Sequence, residues 1–119
     1  MKKITLFITL LICSIGFSQN LITNGDFENG TTGWSGNAAN VVTESGNSYN
    51  SANVTVAGNP WDVNLSYVFS MPTQGTAYRL TFSAWSDTTR PIIAGIGLNE
   101  GPWTNVTQTV NLTTTSQTF

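Results

Sequence analysis

The chain has 119 residues, of which 39% are hydrophobic and only 8% charged, with four basic and six acidic side chains, one cysteine and no histidine. That length holds one domain, and so few positive charges exclude phosphate neutralisation along a nucleic acid and electrostatic docking on an anionic membrane. The absence of histidine removes His-based triads and His-ligated zinc from consideration.

Residues 1–18 read as a signal peptide. Met1-Lys2-Lys3 is a short basic start, residues 4–17 are apolar except for Thr5, Thr9, Ser14 and Gly16, and Gly16 and Ser18 are small residues at the spacing that precedes cleavage. The apolar run is shorter than the roughly 20 residues a membrane span needs. A lipidated Cys13 would need a small residue before it, and Ile12 is large. Cleavage after Ser18 gives a secreted chain that opens at Gln19 and carries no cysteine, hence no disulfide. Arg79 and Arg90 then face six carboxylates, a formal charge of −4. The expected module covers residues 19–119.

Its elements follow in order. Residues 21–28 predict a first strand, and Asn29-Gly30, Gly33 and Gly36 a loop around Trp34. Residues 40–44 predict a second strand, ended by Ser45-Gly46-Asn47, and residues 52–57 a third, ended by Gly58-Asn59-Pro60. Residues 62–71 predict the fourth. In the fifth, residues 77–87, Tyr78, Leu80, Phe82 and Ala84 alternate inward against Arg79, Thr81, Ser83 and Trp85. Residues 92–98 predict a sixth strand with Pro91 at its edge, residues 105–112 a seventh, and Gln117-Thr118-Phe119 the start of an eighth. Helical periodicity is absent after the signal. Short strands with turn signals about every ten residues predict an all-β fold, a β-sandwich jelly roll. The eighth strand reads as an entry into a core strand, so closing strands are expected further along a longer gene product.

Trp61 is the leading functional candidate. It stands where the turn Asn59-Pro60-Trp61 hands over to the fourth strand, with Asp62, Asn64 and Ser66 on one face and Val63, Leu65, Tyr67 and Phe69 on the other. An aromatic plate beside amide and carboxylate groups, on a nearly uncharged surface, suits a neutral polyhydroxylated ligand and binding rather than chemistry.

Four segments carry a resemblance. They are Asn24-Gly25-Asp26-Phe27-Glu28 followed by Gly33-Trp34; Asn59-Pro60-Trp61-Asp62-Val63-Asn64-Leu65; Tyr78-Arg79-Leu80-Thr81-Phe82-Ser83-Ala84-Trp85; and residues 112–119. In order and spacing the chain resembles the carbohydrate-binding modules of families 4 and 9, and the related family 22, over essentially all of residues 19–119. The resemblance implies a galactose-binding-like jelly roll that binds β-glucan, xylan or another polysaccharide or oligosaccharide, with a glycoside hydrolase or lyase domain in cis. The closing strands of the family pattern, with an Ile-Asp-Asn-type segment, are not matched.

Carried over by position, the resemblance makes Trp61 the plate that stacks on a sugar ring, and Trp103, in Gly101-Pro102-Trp103-Thr104, the opposite wall of a cleft. Asn64 stands where relatives have Gln or Glu and would read hydroxyls, an amide being both donor and acceptor. Gln108 and Asp62 are weaker candidates of the same kind. Trp85 alternates away from the core of the fifth strand and is a further candidate contact. Gly33-Trp34 is structural. The resemblance also implies a structural calcium ion held by Glu28, the Asp26 carbonyl, Asn47 and Asn50, hard oxygen donors of the type calcium takes.

A glycosidase needs only two carboxylates at the right separation, and six are present. No pair of them is flanked by the apolar setting that raises an acid's pKa. The leading reading is therefore a non-catalytic carbohydrate-binding module. A structural or adhesion sandwich is the first alternative, and a small glycoside hydrolase or lyase the second.

Overall fold

The computed structural model describes residues 19–55, 58–70 and 75–119. The predicted signal peptide lies outside them. Among the described residues all regular structure is β, arranged as four two-stranded antiparallel sheets, consistent with a β-sandwich jelly roll.

The strands are β1 (Trp34–Ser35), β2 (Val41–Glu44), β3 (Asn47–Asn50), β4 (Ser66–Tyr67), β5 (Ser83–Ala84), β6 (Arg90–Gly97), β7 (Asn105–Leu112) and β8 (Gln117–Thr118). β1 pairs with β4, β2 with β3, β5 with β8 and β6 with β7. The β6–β7 hairpin is the longest ladder, running from Arg90 opposite Leu112 to Gly97 opposite Asn105. Along β6, Ile92, Ala94 and Ile96 turn inward while Pro91 and Ile93 face out. This is the period-2 pattern of a half-buried strand. Pro91 lies inside the strand rather than at its edge. Among the described residues β6 pairs with β7 alone, which leaves the other side of its backbone without a strand partner, where a missing N–H is tolerated.

The β2–β3 hairpin closes through Ser45 and Gly46, with φ of 51° and 80°. Two central residues in the left-handed region match the twist of the flanking strands. The predicted third strand over residues 52–57 is therefore displaced. The two-residue turn brings Asn47–Asn50 straight back onto β2, and residues 52–55 are exposed and make no ladder. Val56 and Ala57 lie outside the described residues.

The predicted first strand, residues 21–28, is instead a run of turns. Asn24, only 5% exposed, donates from Nδ2 to the carbonyls of Gly30 (2.9 Å) and Thr32 (3.0 Å), and its Oδ1 accepts from the Asn29 N–H at 3.0 Å. One buried side chain thus satisfies the backbone groups that a strand partner would otherwise take. Phe27 sits at φ 59°, which no strand allows. Trp34 packs between Phe27 and Tyr67, with ring centroids 4.8 Å and 5.1 Å away, and donates from Nε1 to the Asn24 carbonyl at 2.7 Å. Gly33 is required there: a Cβ would lie 2.6 Å from a Tyr67 ring carbon. Trp34 is structural, as expected.

The fourth and fifth strands are shorter than predicted. Among the described residues their strands cover Ser66–Tyr67 and Ser83–Ala84, and Tyr78 and Leu80, expected in the core, are exposed. Phe82 and Ala84 do turn inward. Phe82 and Phe119 exchange backbone hydrogen bonds and pack their rings 5.4 Å apart, extending the β5–β8 pair by one residue. Met71 lies outside the described residues.

Candidate functional site

The sequence around Trp61 folds as a tight turn pinned from both sides. The Asp62 N–H donates to the Asn59 carbonyl at 3.0 Å, and the Asn59 N–H donates to Asp62 Oδ2 at 2.7 Å. Gly58 leaves room for that carboxylate, since a Cβ would lie 2.1 Å from the same oxygen. Three residues on, Asn64 Nδ2 donates to the Trp61 carbonyl at 3.0 Å. The Trp61 side chain is 67% exposed. The turn thus keeps a large apolar ring in water on a tied backbone, about as exposed as Trp103 and less so than Val106. That is the arrangement a stacking surface needs.

The turn is then bound to the segment between β1 and β2. Asn37 Oδ1 accepts from the Asn64 N–H at 2.8 Å, Asn37 Nδ2 donates to the Asp62 carbonyl, and the Ala38 N–H donates to the Asn64 carbonyl at 2.9 Å. Gly36, at φ 103°, lies so close that a Cβ would come within 2.2 Å of Asn64 Oδ1. Asp62 and Asn64 were expected to read sugar hydroxyls. Asn64 has its amide packed into this network, and Asp62 has one carboxylate oxygen turned back on the chain.

The remaining aromatic candidates occupy different places. Trp103 is 64% exposed on the β6–β7 loop, at φ 58°, with its N–H on the Glu100 carbonyl (3.0 Å) and its carbonyl held by Asn105 Nδ2 (3.1 Å). Gln108 is exposed on β7, opposite Ala94. An apolar groove of about 530 Å³ runs beside this hairpin, lined by Tyr67, Phe69, Ile96, Leu98 and Val106. Neither Trp61 nor Trp103 lines it, so the structure does not bring these two rings together as facing walls of that groove.

Trp85, 45% exposed, pairs with Tyr49 at 5.1 Å between ring centroids and 58° between planes. Together they line an open pocket of about 420 Å³ that also holds Asp26, Glu28 and Asn47. A hydrogen bond to Glu44, followed by desolvation and the Glu44 charge, holds the Tyr49 phenol above its ordinary range. Tyr49 was not anticipated. The signal for it was the two-residue turn Ser45-Gly46, which fixes the register that sets Tyr49 opposite Val42.

Three of the four residues assigned to calcium thus border one pocket. Glu28 Oε1 accepts the Ser48 N–H at 3.1 Å, and Asp26 Oδ1 accepts the Glu28 N–H at 3.3 Å. Asn50 faces elsewhere: its Oδ1 accepts from the Asn40 N–H at 2.9 Å and its Nδ2 donates to the Ala38 carbonyl at 3.0 Å. Among the described residues no three or more Asp, Glu, His or Cys side chains gather where they could hold a metal ion. The oxygens of Glu28, Asp26 and Asn47 are of the right hardness for calcium but fall short of its usual 6–8 ligands without added water.

Exposed indoles, one of them on a braced turn, are what a glycan-binding surface requires, and the family comparison agrees. The model of the carbohydrate binding domain family CBM4/9 matches residues 19–119. The chain belongs to that family. No curated protein and no solved structure matches it. The module is accordingly a non-catalytic, all-β carbohydrate-binding domain with exposed aromatic side chains on its surface.

Proposed function

We propose that this module binds polysaccharide by stacking Trp61 flat on a pyranose ring, and that it does so as part of an exported carbohydrate-active protein with a catalytic domain in cis. The observation that carries the reading is a 67% exposed indole on a turn whose backbone is fastened at Asn59, Asp62 and Asn64. The face of an indole is electron-rich and attracts the weakly positive C–H groups of a sugar, while its apolar area replaces poorly hydrated ligand surface. Stacking on a planar ring is worth on the order of 1–3 kcal/mol in nucleic-acid systems, and the same scale applies here.

Since Asn64 and one oxygen of Asp62 are engaged with the chain, ring-face contact rather than hydroxyl reading dominates at this turn. Glucose and xylose in β-linked chains offer the same kind of face, so β-glucan and xylan are both within the ligand class. Trp85, Tyr49 and Trp103 supply further aromatic surface for a longer chain. Calcium belongs to this proposal as a structural ion beside Glu28, with Asp26 and Asn47 as neighbouring donors.

The test is affinity electrophoresis of the full chain through gels containing soluble mixed-linkage β-glucan or soluble xylan. Retardation by either polymer, absent from a gel without polysaccharide, supports the proposal. Unchanged mobility in both contradicts it.

A further inference from the structure

We infer that Asn37, in a different loop from the proposed sugar plate, is the positioning residue for Trp61; this rests on the reading of Trp61 just given. The Asn37 carboxamide does what a neighbouring strand would do. It donates to the Asp62 carbonyl and accepts the Asn64 N–H at 2.8 Å, the two backbone groups that flank Val63. A primary amide is isosteric with a peptide group, so one side chain forms a two-bond bridge to the segment immediately after Trp61. The donor must face the carbonyl and the acceptor the N–H, so only one orientation of the amide serves.

The bridge has support on both sides. On its own loop, the Ala38 N–H donates to the Asn64 carbonyl at 2.9 Å, and the glycine at position 36 lets the two backbones approach. On the other side, Asn64 Nδ2 carries the restraint to the Trp61 carbonyl at 3.0 Å. The path from Asn37 to the indole therefore runs through Asn64, two hydrogen bonds and one turn. Asp62 joins it through its carbonyl. Without the bridge, the Ala38–Asn64 hydrogen bond is the cross-loop tie that remains to residues 62–64 among the described residues, and the turn that carries the indole is less ordered before a ligand arrives. Affinity then falls because the turn has to be ordered on binding.

The experiment compares Asn37→Ala, Asn37→Asp and Asn40→Ala in the full chain. Two readouts are used: retardation by soluble mixed-linkage β-glucan, and the fluorescence anisotropy of Trp61 taken as the difference between each protein and its Trp61→Phe form. Asn40→Ala is the control. It loses a hydrogen bond of the same type, from Nδ2 to the Ser51 carbonyl at 3.1 Å, in the same inter-strand segment but away from the turn.

Asn37→Ala is expected to weaken retardation about tenfold and to lower the Trp61 anisotropy. Asn37→Asp is expected to do at least as much, because it keeps the acceptor but turns a carboxylate oxygen on the Asp62 carbonyl. Asn40→Ala is expected to leave both readouts unchanged. The double variant Asn37→Ala/Trp61→Ala is expected to bind no worse than Trp61→Ala alone. Wild-type anisotropy and retardation in Asn37→Ala overturn the inference, as does an equal loss in Asn40→Ala or an additive loss in the double variant. A Trp61→Ala protein that binds normally overturns the proposed site itself, whatever Asn37 does. Should the polymer not retard the wild type, the anisotropy alone decides whether Asn37 holds the turn.

Discussion

Asn64 Nδ2 donates to the carbonyl of Trp61 at 3.0 Å, and the Asn64 side-chain oxygen fills the space above Gly36. A residue placed by sequence among the sugar-reading groups thus braces the turn beneath the sugar plate. Gly36→Ala is the sharpest probe of that relationship. The new Cβ would meet Asn64 at 2.2 Å on its side-chain oxygen and 2.3 Å on its backbone oxygen, at φ 103°. The expected cost is about 2–3 kcal/mol in urea unfolding, with glycan retardation weakened more than by a distant substitution of equal cost. A variant as stable and as strongly retarded as the wild type would show that the two loops are not packed together.

Asn24 holds the opening turns from inside. Asn24→Ala leaves the Asn29 N–H and the Gly30 and Thr32 carbonyls without their partner. The expected loss is about 2–4 kcal/mol, seen as a lowered urea midpoint, with the near-ultraviolet signal of Trp34 lost in the same transition.

The phenol of Tyr49 titrates above its ordinary value of 10.0 because it shares a hydrogen bond with the Glu44 carboxylate. A raised pKa in the folded state means that the contribution of this contact is complete below the unfolded tyrosine value and is lost as pH climbs through the folded one. Glu44→Gln should move one of the three tyrosine transitions, followed by tyrosinate absorbance, back toward 10. Three unchanged midpoints would remove the contact.

Calcium beside Glu28 would link the opening turns to the β2–β3 hairpin, where Ser48 already donates to that carboxylate. Millimolar calcium should raise the thermal midpoint, a chelator should reverse the rise, and Glu28→Gln should abolish it while Asn50→Asp leaves it in place. No midpoint shift in the wild type would contradict the assignment.

What was legible in the sequence was local. The seventh strand has the predicted bounds, since Asn105–Leu112 is a β-branched run between polar turns, and β6 was displaced by one or two residues only. The Trp61 turn was readable from Asn59-Pro60 and from the alternation of Asp62, Asn64 and Ser66 with apolar residues after it. What escaped depended on contacts distant in sequence. The opening strand failed because a buried Asn24 side chain replaces ladder partners and Phe27 takes a positive φ. The third strand failed because Ser45-Gly46 is a hairpin turn, not a loop. Asn37 gave no signal at all: its role exists only because residues 62–64 return beside it.

The most direct test is titration calorimetry of the full chain and of Trp61→Ala, side by side, with β-glucan and xylan oligosaccharides, with far-ultraviolet dichroism confirming the fold of both. Heat from the wild type, and affinity at least about tenfold weaker for the variant with an unchanged spectrum, is the predicted result. Equal affinity in the two proteins, or no heat from the wild type with either series, would contradict the assignment of Trp61 as the sugar-binding plate.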